Sequence, residues 1–281
     1  MPVSLVALVL FSAVLHALWN AAVKSRPDAG AAGFWLVLGA AIISAVLAIA
    51  SSQAYIPPMA WPWVATAGLV EGLYFSSLLV ALAHLPLQQA YGVSRGLGVL
   101  LAWPLAMVWQ LEQASPLALV GAGLLSLGLL STAWQQVGAP QGHLSGRGWA
   151  ATLVCALSIA LYPLVYKQAL SVGAPPYALF ATSLALSLPI QAAWLGRTRW
   201  RRLQSEIAIR PMVLLACAGL CAASFLALLG ALQTGGAAHL SALRNTSVIL
   251  AAALASRQHR LPPAEWWRAA AVTVGAVLVA L

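Results

Sequence analysis

The side chains able to do chemistry in these 281 residues are few, and they recur at helical spacing inside apolar stretches. Glu71 is the only carboxylate deep in such a stretch, bracketed by Gly68 and Gly72, a small-xxx-small pair that admits a neighbouring helix. A carboxylate taken out of water favours its protonated form, which suits a proton-coupling site or a counter-ion for a substrate ammonium; a structural pairing with Arg95, or with a side chain of the first span, is the alternative. Of fourteen Lys and Arg residues, just Arg95 and Arg244 lie deep in spans. They enter from opposite faces, each about 11 to 12 Å from its own boundary, which predicts that they come within about 10 Å of each other in depth. Two guanidiniums converging on one cavity would hold a carboxylate, phosphate or phosphonate through bidentate hydrogen bonds; otherwise each ties its helix to backbone carbonyls. Asn245 directly follows Arg244 and is taken with it as a candidate binding residue.

Ser12, His16, Asn20 and Lys24 repeat at i+4 and share one helical stripe, which must face protein or water rather than lipid. His16 is a candidate proton relay, or a packing residue with its hydrogen bonds satisfied. Trp19 and Asn20 are candidate cavity wall, and Lys24 reads as a snorkelling helix end. Ser158, Tyr162 and Tyr166 form a matching stripe interrupted by Pro163. Tyr91 lies one turn before Arg95, Gln88 a further turn back, and Tyr74 three residues after Glu71. Aromatic rings with polar tips suit a cavity for an amphipathic solute, although such stripes also serve helix packing.

The elements that position these residues are set by composition. The chain is 62% hydrophobic and 7% charged, whereas a soluble domain carries roughly 25% charged residues to face water. A bilayer is therefore the expected partner. The net charge of +9 sits in short connectors, where it reads as membrane topology and not as a nucleic-acid footprint. A crossing needs roughly 20 apolar residues, and cutting at Pro, Gly and charge clusters gives ten spans near 3–24, 32–51, 62–83, 87–109, 116–134, 148–169, 176–195, 211–233, 237–256 and 263–281. The longest connectors, 135–147 and 196–210, leave no extramembrane domain. The first span lacks a basic leader and is too long for a signal peptide, so it reads as a retained helix. Trp61, Trp63, Trp266 and Trp267 read as interfacial belt, and Cys155, Cys217 and Cys221 as packed thiols.

The pattern repeats at an offset of about 143 to 151 residues. The first span ends Leu18-Trp19-Asn20-Ala21-Ala22-Val23-Lys24 and the sixth ends Leu161-Tyr162-Pro163-Leu164-Val165-Tyr166-Lys167; Gly68-Leu69 answers Gly219-Leu220, and Arg95 answers Arg244. Five spans per half is odd, so the second half inserts upside down, the inverted-repeat plan of secondary transporters. The first, fifth, seventh and ninth connectors hold most of the cations, including Lys24, Arg26, Arg147, Arg197, Arg202, Arg257 and Arg260, against little beyond Lys167 opposite. This predicts a multi-pass protein of the inner cell membrane with both termini outside the cytoplasm.

Three stretches resemble the ten-helix EamA-type branch of the drug/metabolite transporter superfamily: HALWNAAVK at 16–24, AYGVSRGLGVLLAWPLAMVWQLEQASPLALVGAGLLSLGLL at 90–130, and ALRNTSVILAAALA at 242–255. The resemblance implies an all-α integral membrane protein of ten transmembrane helices, as a five-helix repeat over 1–137 and an inverted one over 146–281. It also implies transport, with a solute class spanning amino acids, sugar phosphates, nucleotide sugars, lipid head groups and drugs, and basic residues on the fourth and ninth spans in sugar-phosphate members. The chain departs from the family pattern at Gly92, where proline is common, and at Gln258-His259, where Gly-Glu is common.

Nucleotide hydrolysis is not expected, because G-x-x-x-x-G-K-[ST] and a second acidic cluster for Mg²⁺ are missing. H-E-x-x-H is missing as well, Asp28 is the only aspartate, and His84, His143 and His259 are scattered over connectors. Neither cofactor nor metal is expected, and no enzymatic activity. The expected function is alternating-access transport of a small metabolite with an anionic group held by Arg95 and Arg244, with Glu71 and His16 carrying a proton or meeting an amine, in a monomer or homodimer. A flippase for a lipid-linked head group and an integral membrane head-group transferase are the alternatives.

Overall fold

The computed structural model describes residues 1–109, 112–113, 115–134, 145–246 and 263–281. His143, Arg257, Gln258, His259, Arg260 and positions 247–256 of the ninth expected span lie outside the described residues, as do the side chains of Gln88, Glu265 and Trp266. Every regular element among the described residues is helical: α1 (Val3–Lys24), α2 (Ala29–Ala50), a 3₁₀ turn (Pro58–Ala60), α3 (Trp61–His84), α4 (Leu87–Val108), α5 (Pro116–Trp134), α6 (Gly146–Ser171), α7 (Pro176–Trp194), α8 (Arg199–Ile209), α9 (Pro211–Thr234), α10 (Ala237–Arg244) and α11 (Pro263–Ala280).

Seven of these, α1, α2, α3, α4, α6, α7 and α9, are long and apolar enough to cross a membrane; α5 and α11 contain shorter apolar stretches. Apart from the ninth, each expected span falls within three residues of a helix at both ends. Proline explains several of the starts. Pro116, Pro176, Pro211 and Pro263 open α5, α7, α9 and α11, at a position where the backbone N–H they lack has no intrahelical partner. The ninth span differs from expectation. Helix α10 stops at Arg244, and Asn245 and Thr246 form a turn. The Asn245 side-chain amide donates to Ser241 O at 3.0 Å and the Thr246 hydroxyl to Leu243 O at 2.7 Å, so polar side chains take the carbonyls of the last turn.

The chain divides into two units, with three of the four boundaries inside α1, α3 and α6 and the fourth at the end of α9. The first comprises Met1–Leu10, Ser77–Leu164 and Gly235–Leu281. In it α5 lies against α4 and α11. The α5–α11 contact is backbone to backbone: a Cβ at Gly121 would stand 2.7 Å from Gly275 O, and one at Gly275 would stand 2.6 Å from Gly121 O. Glycine is needed there for the approach itself.

The second unit comprises Phe11–Ser76 and Val165–Thr234, with α2 packed on α7, α8 and α9. Here α3 meets α7 at the two glycines beside Glu71. A Cβ at Gly68 would stand 2.6 Å from Leu186 Cβ, and one at Gly72 would stand 2.6 Å from Ile190 Cδ1. The connector at 196–210 is not irregular, since α8 occupies most of it. Its buried side carries Leu203 and Glu206. Trp35 Nε1 donates to Leu203 O at 2.9 Å, Arg26 pairs with Glu206, and Arg202 forks onto Asp28 at 2.6 and 2.8 Å. A helix too charged to span is thus held by ion pairs to the α1–α2 connector.

Asp28 also caps α2, accepting from Ala31 N at 3.0 Å. The Arg202 guanidinium beside it holds the Asp28 carboxyl below the usual carboxylate range. Because the folded value is depressed, this stabilisation is present above the unfolded carboxylate value of about 3.9 and is lost as pH falls through the folded one. Asp28→Asn keeps the cap and loses the charge. Its thermal midpoint at neutral pH is expected to fall only slightly, because an exposed pair contributes about 1 kcal/mol or less. The further drop of the midpoint below about pH 4 should be smaller than in the parent. Unfolding scans from neutral to acid pH check this, and parallel curves for the two proteins would contradict it.

Candidate functional site

Within the first unit, α4, α6 and α10 bring together five of the residues singled out in the sequence. Arg95 and Arg244 are both buried. Arg95 Nη1 donates to Asn245 Oδ1 at 3.2 Å, and Arg244 Nη1 donates to Tyr162 Oη at 3.0 Å. Each guanidinium also lies 5.9 Å from a tyrosine ring centroid, Tyr91 for Arg95 and Tyr162 for Arg244, within the range of cation–π attraction. The Asn245 amide is oriented at both ends, with Nδ2 on Ser241 O and Oδ1 on Arg95. Arg95 therefore meets the residue next to Arg244, and the two arginines stand in one Tyr–Arg–Asn cluster.

The start of α10 is held by Glu112, from the connector between α4 and α5. Glu112 accepts from Ala238 N with one carboxylate oxygen and lies 3.1 Å from His239 Nδ1 with the other. A negative charge at a helix N-terminus satisfies otherwise orphaned N–H groups and the helix dipole. Gly236 permits the approach, since a Cβ there would overlap the Glu112 carboxylate. The His239 ring meets Trp103 edge-on at 4.5 Å. No periodicity links Glu112 to residues 126 positions away, so nothing in the sequence pairs them.

The second unit holds the other candidates. Glu71 on α3 is fully buried, and its Oε1 accepts from Tyr166 Oη at 3.1 Å. Tyr166 Oη lies 2.9 Å from Ser183 Oγ on α7, and Ser183 in turn donates to Phe180 O at 3.0 Å. Close packing at Gly68 and Gly72 is what places α7, and so Ser183, beside this carboxylate. The sequence put Tyr166 on the stripe of α6 without giving its partner; Ser183 gave no signal.

On α1, His16 is buried and meets Trp19 edge-on at 4.8 Å, with Phe225 at 6.0 Å. Trp19 faces Phe75 at 6.3 Å, and Tyr74 packs edge-on against Phe75 at 5.0 Å. Phe180 stacks on Phe225 at 4.9 Å. Asn20 donates to His16 O at 2.7 Å, so part of its amide is spent on its own helix. Ser12 and Ser224 exchange hydroxyl bonds with each other's carbonyls at 2.7 and 2.8 Å, joining α1 to α9. Lys24 is exposed at the end of α1. Among the described residues no three His, Cys, Asp or Glu side chains stand together as a metal site would require.

Comparison with known proteins finds a family match for the second half of the chain. Residues 146–281 match the EamA-like transporter family. A solved crystal structure superposes on 99% of this chain and 96% of its own at a TM-score of 0.70 with 17% sequence identity. That likeness extends the fold over the part of the chain before residue 146. Residues 146–281 are EamA-like. No curated protein matches the chain in sequence. The EamA-like match contains Tyr162, Tyr166, Arg244 and Asn245, whereas Arg95, Glu71, His16 and Trp19 lie before it. The EamA-like match over residues 146–281 and the seven long apolar helices support a multi-pass membrane protein.

Proposed function

We propose that this chain is a secondary carrier that moves a small metabolite bearing an anionic group by alternating access. The observation that carries the reading is the Arg95 to Asn245 hydrogen bond, because it joins the two arginines in one cluster. In that role Arg95 and Arg244 hold a carboxylate, phosphate or phosphonate, and Tyr91, Tyr162 and Asn245 set the direction of the guanidinium forks. In the second unit Glu71 takes up a proton or meets a substrate amine, with Tyr166 and Ser183 as its hydrogen-bonding neighbours and His16 as a further proton carrier. Trp19, Asn20 and Tyr74 give the solute its apolar and amide contacts. A desolvated acid among hydroxyls is a chemistry that supports proton exchange at membrane depth.

The bilayer is the inner cell membrane, and the Lys/Arg asymmetry puts both termini outside the cytoplasm. A C-terminal reporter active only in the cytoplasm should stay silent; an active one reverses the topology. The carrier reading itself is tested by a thermal-shift screen of amino acids, carboxylates and phosphate monoesters on the purified protein, followed by flux of the best stabiliser. Anions at the top of that ranking support the reading, and cations there contradict it.

A further inference from the structure

Helix α8 has two unlike sides. On one, Leu203 and Glu206 are buried, and two arginines are neutralised, Arg26 by Glu206 and Arg202 by Asp28. On the other, Trp200 is 66% exposed. The Arg199 guanidinium lies 5.8 Å from the Trp200 ring, Arg201 is exposed on the next residue, and Arg197 and Arg210 are exposed before and after the helix. Two carboxylates are fully taken up by two guanidiniums, which leaves four arginines on this segment without an acidic partner among the described residues.

The position of α8 says what this surface faces. It connects α7 to α9, both long and apolar enough to cross a membrane. Trp194, 48% exposed, closes α7, and Met212 is exposed at the start of α9. A short helix tied between two crossing helices, with tryptophans and exposed apolar side chains flanking arginines, lies at the level where indole rings and guanidiniums meet lipid head groups.

We propose that Trp200 and the arginines on α8 and at its two ends form a binding surface for anionic phospholipid head groups. Arg197, Arg199, Arg201 and Arg210 engage the lipid phosphates, and Trp200 sits among the glycerol and upper acyl carbons. The internal pairs Arg26–Glu206 and Asp28–Arg202 tie the helix to its own unit and do not involve the other four arginines. Guanidinium is suited to phosphate because its fork matches two oxygens at once, and juxtamembrane arginine clusters are attracted to anionic leaflets.

The test uses the full chain purified in a neutral detergent and titrated with phosphatidylglycerol or phosphatidylcholine. Phosphatidylglycerol is expected to raise the thermal midpoint by about 5 °C, a size typical of a ligand well above its dissociation constant for a chain of this length. Phosphatidylcholine is expected to give little, and salt near about 0.5 M to remove most of the difference. The variant carrying Arg197→Gln, Arg199→Gln, Arg201→Gln and Arg210→Gln leaves both internal ion pairs intact and should lose the phosphatidylglycerol response. If that variant does not fold, Arg201→Gln alone should lower the response. Equal shifts with the two lipids, an undiminished response in the variants, or the same shift from inorganic phosphate alone would overturn the proposal.

Discussion

Arg244→Lys is expected to lower saturable transport of an anionic solute by about ten- to a hundredfold while leaving the amount of folded protein in the membrane nearly unchanged. Lysine keeps the positive charge but has one ammonium where arginine has a planar fork. It also shortens the reach to Tyr162 Oη, now 3.0 Å from Arg244 Nη1. A hydrogen bond to a charged group contributes about 1.5 to 3 kcal/mol, which is the stated range of affinity. Arg95→Lys should act in the same direction and should also free the Asn245 amide that Arg95 now holds. Concentration-dependent uptake into proteoliposomes, with folded protein quantified by size-exclusion chromatography, separates a binding defect from a folding defect. If Arg244 only ties its helix in place, Arg244→Lys would lower the amount of folded protein and leave the apparent affinity of what remains unchanged.

Glu71→Gln is expected to uncouple transport from an imposed pH gradient. Glutamine is nearly the same size and can still accept from Tyr166 Oη, so the α3–α6–α7 packing is retained; what it cannot do is gain and lose a proton. One pH unit stores about 1.4 kcal/mol per proton, enough for about tenfold accumulation of a solute moved with one proton. In proteoliposomes the parent protein should approach that accumulation and Glu71→Gln should equilibrate without it. Gradient-driven accumulation that survives the substitution would remove Glu71 from coupling and leave it a structural acceptor for Tyr166.

The helices were legible because nothing competes with their signal. Runs of about twenty apolar residues punctuated by proline have one reading in a protein with 7% charged residues, and nine of the expected spans coincide with helices. The candidate side chains were legible for the same reason: a polar residue in an apolar run stands out, and a four-residue step puts Tyr162 and Tyr166 on one stripe. Partners were a different matter. Arg95 and Arg244 were paired by repeat position, but that Asn245 links them depends on where α10 stops, which is decided by side-chain bonds from Asn245 and Thr246 to backbone carbonyls. Ser183 reaches Tyr166 through the approach of α7 at Gly68 and Gly72. Glu112 meets Ala238 and His239 across 126 and 127 residues of sequence. The charged connector at 196–210 read as loop because it lacks an apolar run; ion pairs to Arg26 and Asp28, far away in sequence, hold it as α8.

The most direct measurement is solute counterflow. Purified protein is reconstituted into liposomes loaded with the organic anion that most raises its thermal midpoint, and trace labelled anion is added outside. A carrier whose arginine cluster holds that anion should accumulate label transiently in the parent protein, far less with Arg244→Lys and none in protein-free liposomes. Absence of counterflow in the parent, or equal counterflow in Arg244→Lys, would contradict it.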